Sequence, residues 1–139
     1  MPSPPEDLRA IYTEAHEALT ARPELFCEMS GLCCRFKEAG HRLYLSRIEY
    51  EEMVHHGGTP ADRADGACPW LRDGLCANRE GRALACRTYF CSDESSAAEV
   101  TERFHARIRE LHGRYDLPYE YRSLEAHRNS DPRISSEEA

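Results

Sequence analysis

Apolar residues recur at helical spacing in a stretch near the start of the chain. Ser3 and Glu6 form a capping-box pattern around Pro4, which suits the first position of a helix. Pro23 is expected to end this helix, because the residue before a proline is disfavoured in the α region. His16 lies beside the apolar face, and we expect it to be a partly buried packing residue. The apolar positions of this face are Leu8, Ile11, Tyr12, Ala15 and Leu19.

A second amphipathic pattern follows in the C-terminal half of the chain. The acidic, serine-rich run at 92–96 offers several N-caps, and Gly113 is the expected C-cap. This is the clearest helical pattern in the sequence. Its apolar positions are Ala97, Val100, Phe104, Ile108 and Leu111.

Between these patterns the predicted elements are short. Residues 41–45 alternate weakly and predict a short strand, and Ser46 with Glu49 forms a second capping box. That helix should run to about His56 and stop at the two glycines that follow. Residues 59–67 indicate a loop, and residues 117–121 predict either an extended segment or a last helical turn.

These patterns predict a small, mainly helical α+β domain over residues 1–128. The helices near 5–21 and 94–112 should pack as a pair, with a loop-rich lobe at about 27–91 at one end. The polar run at 129–139 is expected to be a flexible tail. No internal repeat or long linker divides the 139 residues.

Charge and hydropathy narrow the classes of partner. The formal net charge is −7 and the pI is near 5.5, which disfavours a nucleic-acid partner. No stretch approaches the roughly 18 apolar residues of a membrane span, and the start of the chain lacks a secretory signal. We therefore expect a cytoplasmic protein whose thiols stay reduced, with no membrane partner.

All seven cysteines lie in two blocks outside the long helical patterns. An odd number of clustered cysteines in a reducing compartment favours metal binding over disulfides. Thiolates select zinc, cuprous copper or iron–sulfur clusters, and a zinc ion or a cubane takes four of them. Seven therefore allow four ligands with three spare thiols, a cluster with a redox pair, or two metals that share bridging sulfurs. The candidate ligands are Cys27, Cys33, Cys34, Cys68, Cys76, Cys86 and Cys91.

The neighbours of these cysteines refine the hypothesis. Adjacent side chains in an extended segment point to opposite faces, so one of Cys33 and Cys34 is expected to ligate and the other to pack, bridge or react. Arginines inside the blocks could lower thiol pKa values and donate hydrogen bonds to sulfur, and Arg87 is the preferred candidate. The others are Arg35, Arg72, Arg79 and Arg82. Histidines that could act as a fourth ligand, each more often a surface or boundary residue, are His41, His55, His56, His105, His112 and His127.

The two blocks resemble the YkgJ-like cysteine-cluster family, which is described by a C-x2-C-x2-C-C motif and regarded as a zinc- or iron-chelating domain. The first motif corresponds to residues 27–34, followed by Arg35. The family's cysteine before a proline corresponds to Cys68, and its glycine-preceded cysteine has a counterpart later in this chain. The cysteine–arginine pair that ends the family pattern corresponds to Cys86 and Arg87. Glu49 stands where the family tends to place an acidic helix start.

This chain departs from the family pattern at several positions. Ser30 stands where the second motif cysteine would be, and Ala83 occupies the place of a proline. Cys91 is additional and could replace the missing ligand. The resemblance covers residues 27–91 and implies metal chelation rather than a particular reaction.

The sequence leaves three functions open. The first is a metal-binding protein that holds zinc or an iron–sulfur cluster through thiolates. The second is an iron–sulfur oxidoreductase or electron carrier with a protein or redox partner. The third is a metal-free thiol switch at residues 33–34 or between Cys86 and Cys91. No phosphate-loop, nucleophile-elbow or zinc-protease motif indicates another enzyme.

Overall fold

The computed structural model describes residues 3–21, 43–60, 67–72, 75–88 and 94–134. The fold is mainly helical α+β, as the sequence pattern predicts. The helices are α1 (Pro4–Thr20), α2 (Arg47–Gly57), α3 (Leu84–Thr88), α4 (Glu94–Arg114) and α5 (Leu124–Asn129). The strands are β1 (Tyr44–Leu45), β2 (Leu71–Arg72), β3 (Leu75–Cys76) and β4 (Arg122–Ser123).

Helix α1 begins as its sequence predicts. Ser3 is the N-cap, and its Oγ accepts a hydrogen bond of 3.5 Å from the backbone N–H of Glu6. The helix ends at Thr20, with Ala21 as its C-cap. Pro23 lies outside the described residues. All five predicted apolar positions are buried, so this face belongs to the core.

Helices α1 and α4 pack as a pair and form the first core cluster, which confirms the predicted pairing. Ile48 of α2 and Leu84 of α3 complete this cluster. Burial of this many aliphatic and aromatic side chains from water is its main stabilising term. The members from the two long helices are Leu8, Ile11, Tyr12, Ala15, Leu19, Val100, Phe104, Ile108 and Leu111.

The C-terminal end of α4 differs from the prediction, because Gly113 lies inside the helix. Asp116 takes the left-handed conformation instead, with φ of 53°. Leu117 N–H donates to His112 O at 2.9 Å, and Asp116 N–H donates to Gly113 O at 3.2 Å. This pair of bonds is a Schellman motif with an aspartate in the position that glycine usually fills.

Two short antiparallel strand pairs frame the second half of the molecule. In the first pair, Tyr44 lies opposite Ser123, which confirms a strand at the end of the 41–45 prediction. The irregular segment at 117–121 leads directly into β4. In the second pair, Leu71 lies opposite Cys76 in a tight hairpin.

The second core cluster lies between these strand pairs and α2. Cysteine, aromatic and aliphatic side chains share it, and Trp70 is the largest member. Its buried members are Leu43, Leu45, Tyr50, Met53, Cys68, Trp70, Leu71, Ala83 and Leu124. The described residues therefore form two core clusters, and Cys68, Cys76 and Cys86 contact the second.

Residues 129–134 pack against the rest of the fold, so the tail predicted at 129–139 starts too early in the chain. Asp131 is fully buried and Ile134 is 7% exposed. Asp131 accepts a hydrogen bond of 2.7 Å from Tyr50 Oη and another of 2.8 Å from Arg133 Nε. These contacts anchor the segment to α2, although its sequence is polar. In the described part of the chain, we find no helix with the length and apolarity needed to span a bilayer.

Candidate functional site

Three of the seven cysteines lie in described segments, and all three contact the second core cluster. Cys68 is a buried member of that cluster, at 3% exposure. Cys76 and Cys86 are half-buried and pack against it. A turn, a strand and a helix thus each bring one sulfur to the same part of the molecule.

The hairpin β2–β3 brings Cys68 and Cys76 toward each other. Leu71 N–H donates to Cys68 O at 3.0 Å, which closes a turn just before β2. Leu71 is then the cross-strand partner of Cys76, and directly opposed residues place their side chains on the same face. The two cysteines are therefore separated by one turn and one strand pairing.

The hairpin is fixed against the C-terminal end of α2. Trp70 Nε1 donates to Gly57 O at 3.0 Å, and Asn78 Nδ2 donates to Met53 O at 3.0 Å. A Cβ at Gly57 would lie 2.5 Å from Asn78 Nδ2 and 2.6 Å from Trp70 Nε1. Only glycine allows this approach, so the residue predicted as a helix stop also seats the cysteine hairpin.

Cys86 lies on α3, and the arginine that follows it contacts Tyr12 of the first core cluster and the backbone of the preceding turn. The Arg87 guanidinium lies 4.1 Å from the centre of the Tyr12 ring. Its Nε donates to Arg82 O and its Nη2 to Glu80 O, each at 2.8 Å. Burial lowers the pKa of Arg87, because the protein removes water that would solvate the cation. Arg87 thus braces the turn before α3.

The remaining arginines of the second block also contact backbone carbonyls. Arg72 Nη1 donates to Pro69 O at 2.7 Å, and Arg82 Nε donates to Arg79 O at 2.8 Å. Both fix the turns around the hairpin. By fixing these turns, Arg72 and Arg82 help to position the cysteines. This role is structural, whereas the sequence predicted that these arginines could lower thiol pKa values.

Glu49 joins the candidate site to the first core. It is 2% exposed, and Oε1 accepts from the N–H and the Oγ of Ser46 at 3.2 and 3.0 Å. Oε2 accepts from Tyr12 Oη at 3.1 Å and from Leu84 N–H at 2.7 Å. The predicted capping box is present, and the same carboxylate also holds α1 and α3. Burial and the nearby Glu49 charge raise the pKa of Tyr12, which therefore stays a hydrogen-bond donor.

The four other cysteines and one of the five candidate arginines lie outside the described residues. They are Cys27, Cys33, Cys34, Cys91 and Arg35, together with His41. Within the described segments, no three His, Cys, Asp or Glu side chains lie close enough together to hold a metal ion. Cys68, Cys76 and Cys86 therefore do not form a three-ligand group on their own, and a complete thiolate site requires further sulfur from residues 27–34 or from Cys91.

The buried histidines have packing and hydrogen-bonding roles. His112 Nδ1 donates to Pro118 O at 3.1 Å, and His127 Nε2 donates to Leu45 O at 2.8 Å, since carbonyls only accept. Burial lowers the pKa of both imidazoles. His105 and His112 share a face of α4 as predicted, and both rings contact Tyr119 edge-on.

The prediction for His16 is wrong, because this side chain is exposed. It lines an open cleft of about 540 Å³ between α1, the end of α2 and the turn before α3. Two further histidines, His55 and His56, line the same cleft. Sequence periodicity could not reveal this cleft, because its walls are separated by about forty to seventy residues in the chain.

In comparisons with known proteins, no family model, no curated protein and no solved structure matches this chain.

Proposed function

We propose that this protein binds a metal centre, zinc or an iron–sulfur cluster, through cysteine thiolates. Cys68, Cys76 and Cys86 would be core ligands. Further sulfur would come from Cys27, from the pair at 33–34, or from Cys91. The resemblance to YkgJ-like cysteine-cluster proteins points in the same direction.

The observation that carries this proposal is that three cysteines from separate segments all contact one core cluster, although on their own they do not form a three-ligand group. These residues come from segments that lie up to 18 positions apart, and no pattern of core packing requires cysteine at each of them. A small apolar residue would fill a buried position equally well. Soft sulfur donors at this density suit zinc or iron–sulfur centres rather than magnesium or calcium.

The surroundings of the three cysteines fit a thiolate centre. Cys68 is buried, while Cys76 and Cys86 retain partial exposure, so the centre would lie at the edge of the second core. Backbone hydrogen bonds close turns at 68–71 and 78–82, and these turns fix the chain on either side of the hairpin. A bound ion or cluster would supply a fixed anchor between the hairpin, α3 and the cysteines at 27–34.

The proposal is tested by metal and sulfide analysis of the anaerobically purified protein. We expect about one equivalent of zinc, or iron with acid-labile sulfide, per chain. Cys76→Ala and Cys86→Ala should each lower metal retention by more than half, because a four-thiolate site tolerates the loss of a ligand poorly. Val54→Ala is the matched control, since Val54 packs against the same cluster without a sulfur atom.

Two outcomes would contradict this function. One is a colourless wild-type protein with no stoichiometric metal. The other is equal metal loss in the control and in the cysteine variants, which would reflect general destabilisation. Absorbance near 400 nm that bleaches with dithionite would instead extend the proposal to electron transfer. Thiolate ligands of this kind fit a reducing compartment, so we place the protein in the cytoplasm.

A further inference from the structure

The cleft lined by His16 lies on the outer side of α1 and α3, where Arg87 and not Cys86 forms the wall. Helix α1 contributes one side, the last turns of α2 a second, and the turn before α3 with Arg87 a third. Its volume of about 540 Å³ is in the range of small-molecule sites. The lining residues used below are Arg9, His16, Glu52, His55, His56, Glu80 and Arg87.

Arg87 brings a guanidinium to this cleft, and the buried Glu49 carboxylate acts on it only through its charge, without a direct contact. Its two recorded hydrogen bonds go to the carbonyl oxygens of Arg82 and Glu80, and its plane lies over the Tyr12 ring. Among the described residues, it forms no ion pair with an acidic side chain. A guanidinium has five N–H donors, so three remain to contact a ligand.

The two acidic residues of the cleft are directed elsewhere. Glu52 accepts from Arg9 Nε at 2.7 Å and from Arg9 Nη2 at 3.1 Å, and it lies 3.4 Å from His56 Nε2. Burial favours a higher pKa for Glu52, but the hydrogen bond and charge of Arg9 outweigh this and lower it. The Glu80 side chain is 88% exposed, and its Oε2 lies 3.8 Å from His56 Nδ1. Among the described residues, neither carboxylate forms an ion pair with Arg87.

The imidazoles in the cleft differ in their partners: both ring nitrogens of His56 face carboxylates, whereas no carboxylate of the described residues pairs with His16 or His55. His55 and His56 contact each other edge-on, with ring centres 5.0 Å apart, and His16 comes from α1. In the described part of the chain, no three such groups approach closely enough to chelate an ion. Imidazoles that are too far apart to chelate one cation can still donate N–H hydrogen bonds to the same anion.

We infer that this cleft binds the phosphate group of a small organic phosphate. A guanidinium over an aromatic ring, with imidazoles on the opposite walls, presents donors from three helices. A tetrahedral oxyanion offers acceptors in several directions, whereas a carboxylate is planar and offers two oxygens. Arginine also matches phosphate geometry with paired hydrogen bonds. The inference is independent of the metal centre, although both sites use α3.

The test is an NMR titration of the full-length protein with inorganic phosphate at constant ionic strength. We expect saturable shifts of backbone amides around residues 9–16, 52–57 and 80–87. Arg87→Gln should raise the Kd for phosphate about tenfold, the effect of removing one charge-assisted contact. His16→Gln should raise it by about two- to fivefold, and this exposed position does not endanger folding. Arg103→Gln and His105→Gln are the matched controls, because neither residue lines the cleft.

Several results would overturn the inference. Shifts that stay linear with phosphate concentration would show that no site exists. An equal loss of affinity in the Arg103 control would reduce the effect to net charge. Acetate that binds as tightly as phosphate would remove the selectivity for a tetrahedral group. If Arg87→Gln fails to fold, unchanged affinity in His16→Gln and in His55→Gln would contradict the inference on its own.

Discussion

Glu49 is a buried carboxylate that links α1, α2 and α3. Its two oxygens accept four hydrogen bonds, from Ser46, Tyr12 and the Leu84 backbone. A buried carboxylate is tolerated only when donors replace the lost water, and here they do. The residue that caps α2 in sequence terms therefore also fixes α1 and the cysteine-bearing α3.

Glu49→Gln should lower the free energy of unfolding by about 2–4 kcal/mol. The amide keeps the size of the side chain, but its NH₂ group would face hydrogen-bond donors that now have no acceptor. Urea unfolding followed by circular dichroism measures the change. Glu17→Gln, at an exposed position on α1, should alter stability by less than about 0.5 kcal/mol. Equal effects of both substitutions would mean that the Glu49 network contributes nothing specific.

Asp131 gives the C-terminal segment a pH-dependent anchor. Hydrogen bonding from Arg133 lowers the pKa of Asp131 to about 2, from an ordinary value of 3.8. Burial opposes this shift, and the hydrogen bond from the Tyr50 hydroxyl adds to it. A depressed pKa in the folded state stabilises the fold above the unfolded-state pKa. That contribution is lost as the pH falls through the folded-state pKa.

The stability difference between wild type and Asp131→Asn should therefore be about 1–2 kcal/mol at pH 7 and shrink between about pH 5 and pH 2. Urea midpoints at a series of pH values measure it. A difference that is constant over this range would show that the ionised carboxylate of Asp131 is not the anchor.

At the level of elements, the two glycines near helix ends have opposite conformations. Gly113 lies inside α4, and a Cβ there would meet no atom within 4 Å, so Gly113→Ala should stabilise the protein by about 0.5–1 kcal/mol. Gly58 caps α2 with φ of 81°, so Gly58→Ala should destabilise it by about 1 kcal/mol or more. Thermal unfolding of both variants checks the signs. A destabilised Gly113→Ala would mean that α4 ends at the predicted position.

The sequence predicted the three longer helices because local signals determine them, but it did not predict the short helices α3 and α5. The Ser3 and Ser46 starts and the apolar faces depend on neighbours within four residues. The misplaced C-cap at Gly113 has a different origin. A Schellman motif with Asp116 in the left-handed position is rarer than one with glycine, so the earlier glycine gave the stronger local signal.

Contacts between distant residues were not predictable in the same way. Asp131 looked like part of a tail because its partner Tyr50 is 81 residues away. His16 looked like a packing residue because it lies beside the apolar face of α1. The cleft that it lines is completed by α2 and α3, which are distant in the sequence. For the candidate metal site, the cysteine spacing predicted a shared location, and Cys68, Cys76 and Cys86 do contact one cluster. The ligand set itself remains a prediction.

In the whole molecule, α2 and α3 contribute to both cores. Ile48 and Leu84 belong to the first cluster, while Tyr50 and Ala83 belong to the second. The described segments with Cys68, Cys76 and Cys86 are thus attached to the paired long helices, but they are not part of that pair. Removing a metal centre should loosen the attached part first.

Cys68→Ser combined with Cys86→Ser should therefore increase hydrogen exchange in the hairpin and in α3. The reporters are the hydrogen-bonded amides of Leu71, Ala77 and Arg87, where we expect an increase of about tenfold or more. Amides in the middle of α1 and α4 should change much less. Val54→Ala again serves as the control for lost packing. Equal acceleration in all these segments would show that the two cores unfold as one unit.

The number of sulfur atoms around the bound metal tests the central claim most directly. X-ray absorption at the metal edge of the anaerobically purified protein should show at least three sulfur neighbours per metal, at about 2.3 Å. The same measurement on Cys86→Ala should show fewer sulfur atoms or no bound metal. A wild-type protein without bound metal, or a metal surrounded only by nitrogen and oxygen, would contradict the account.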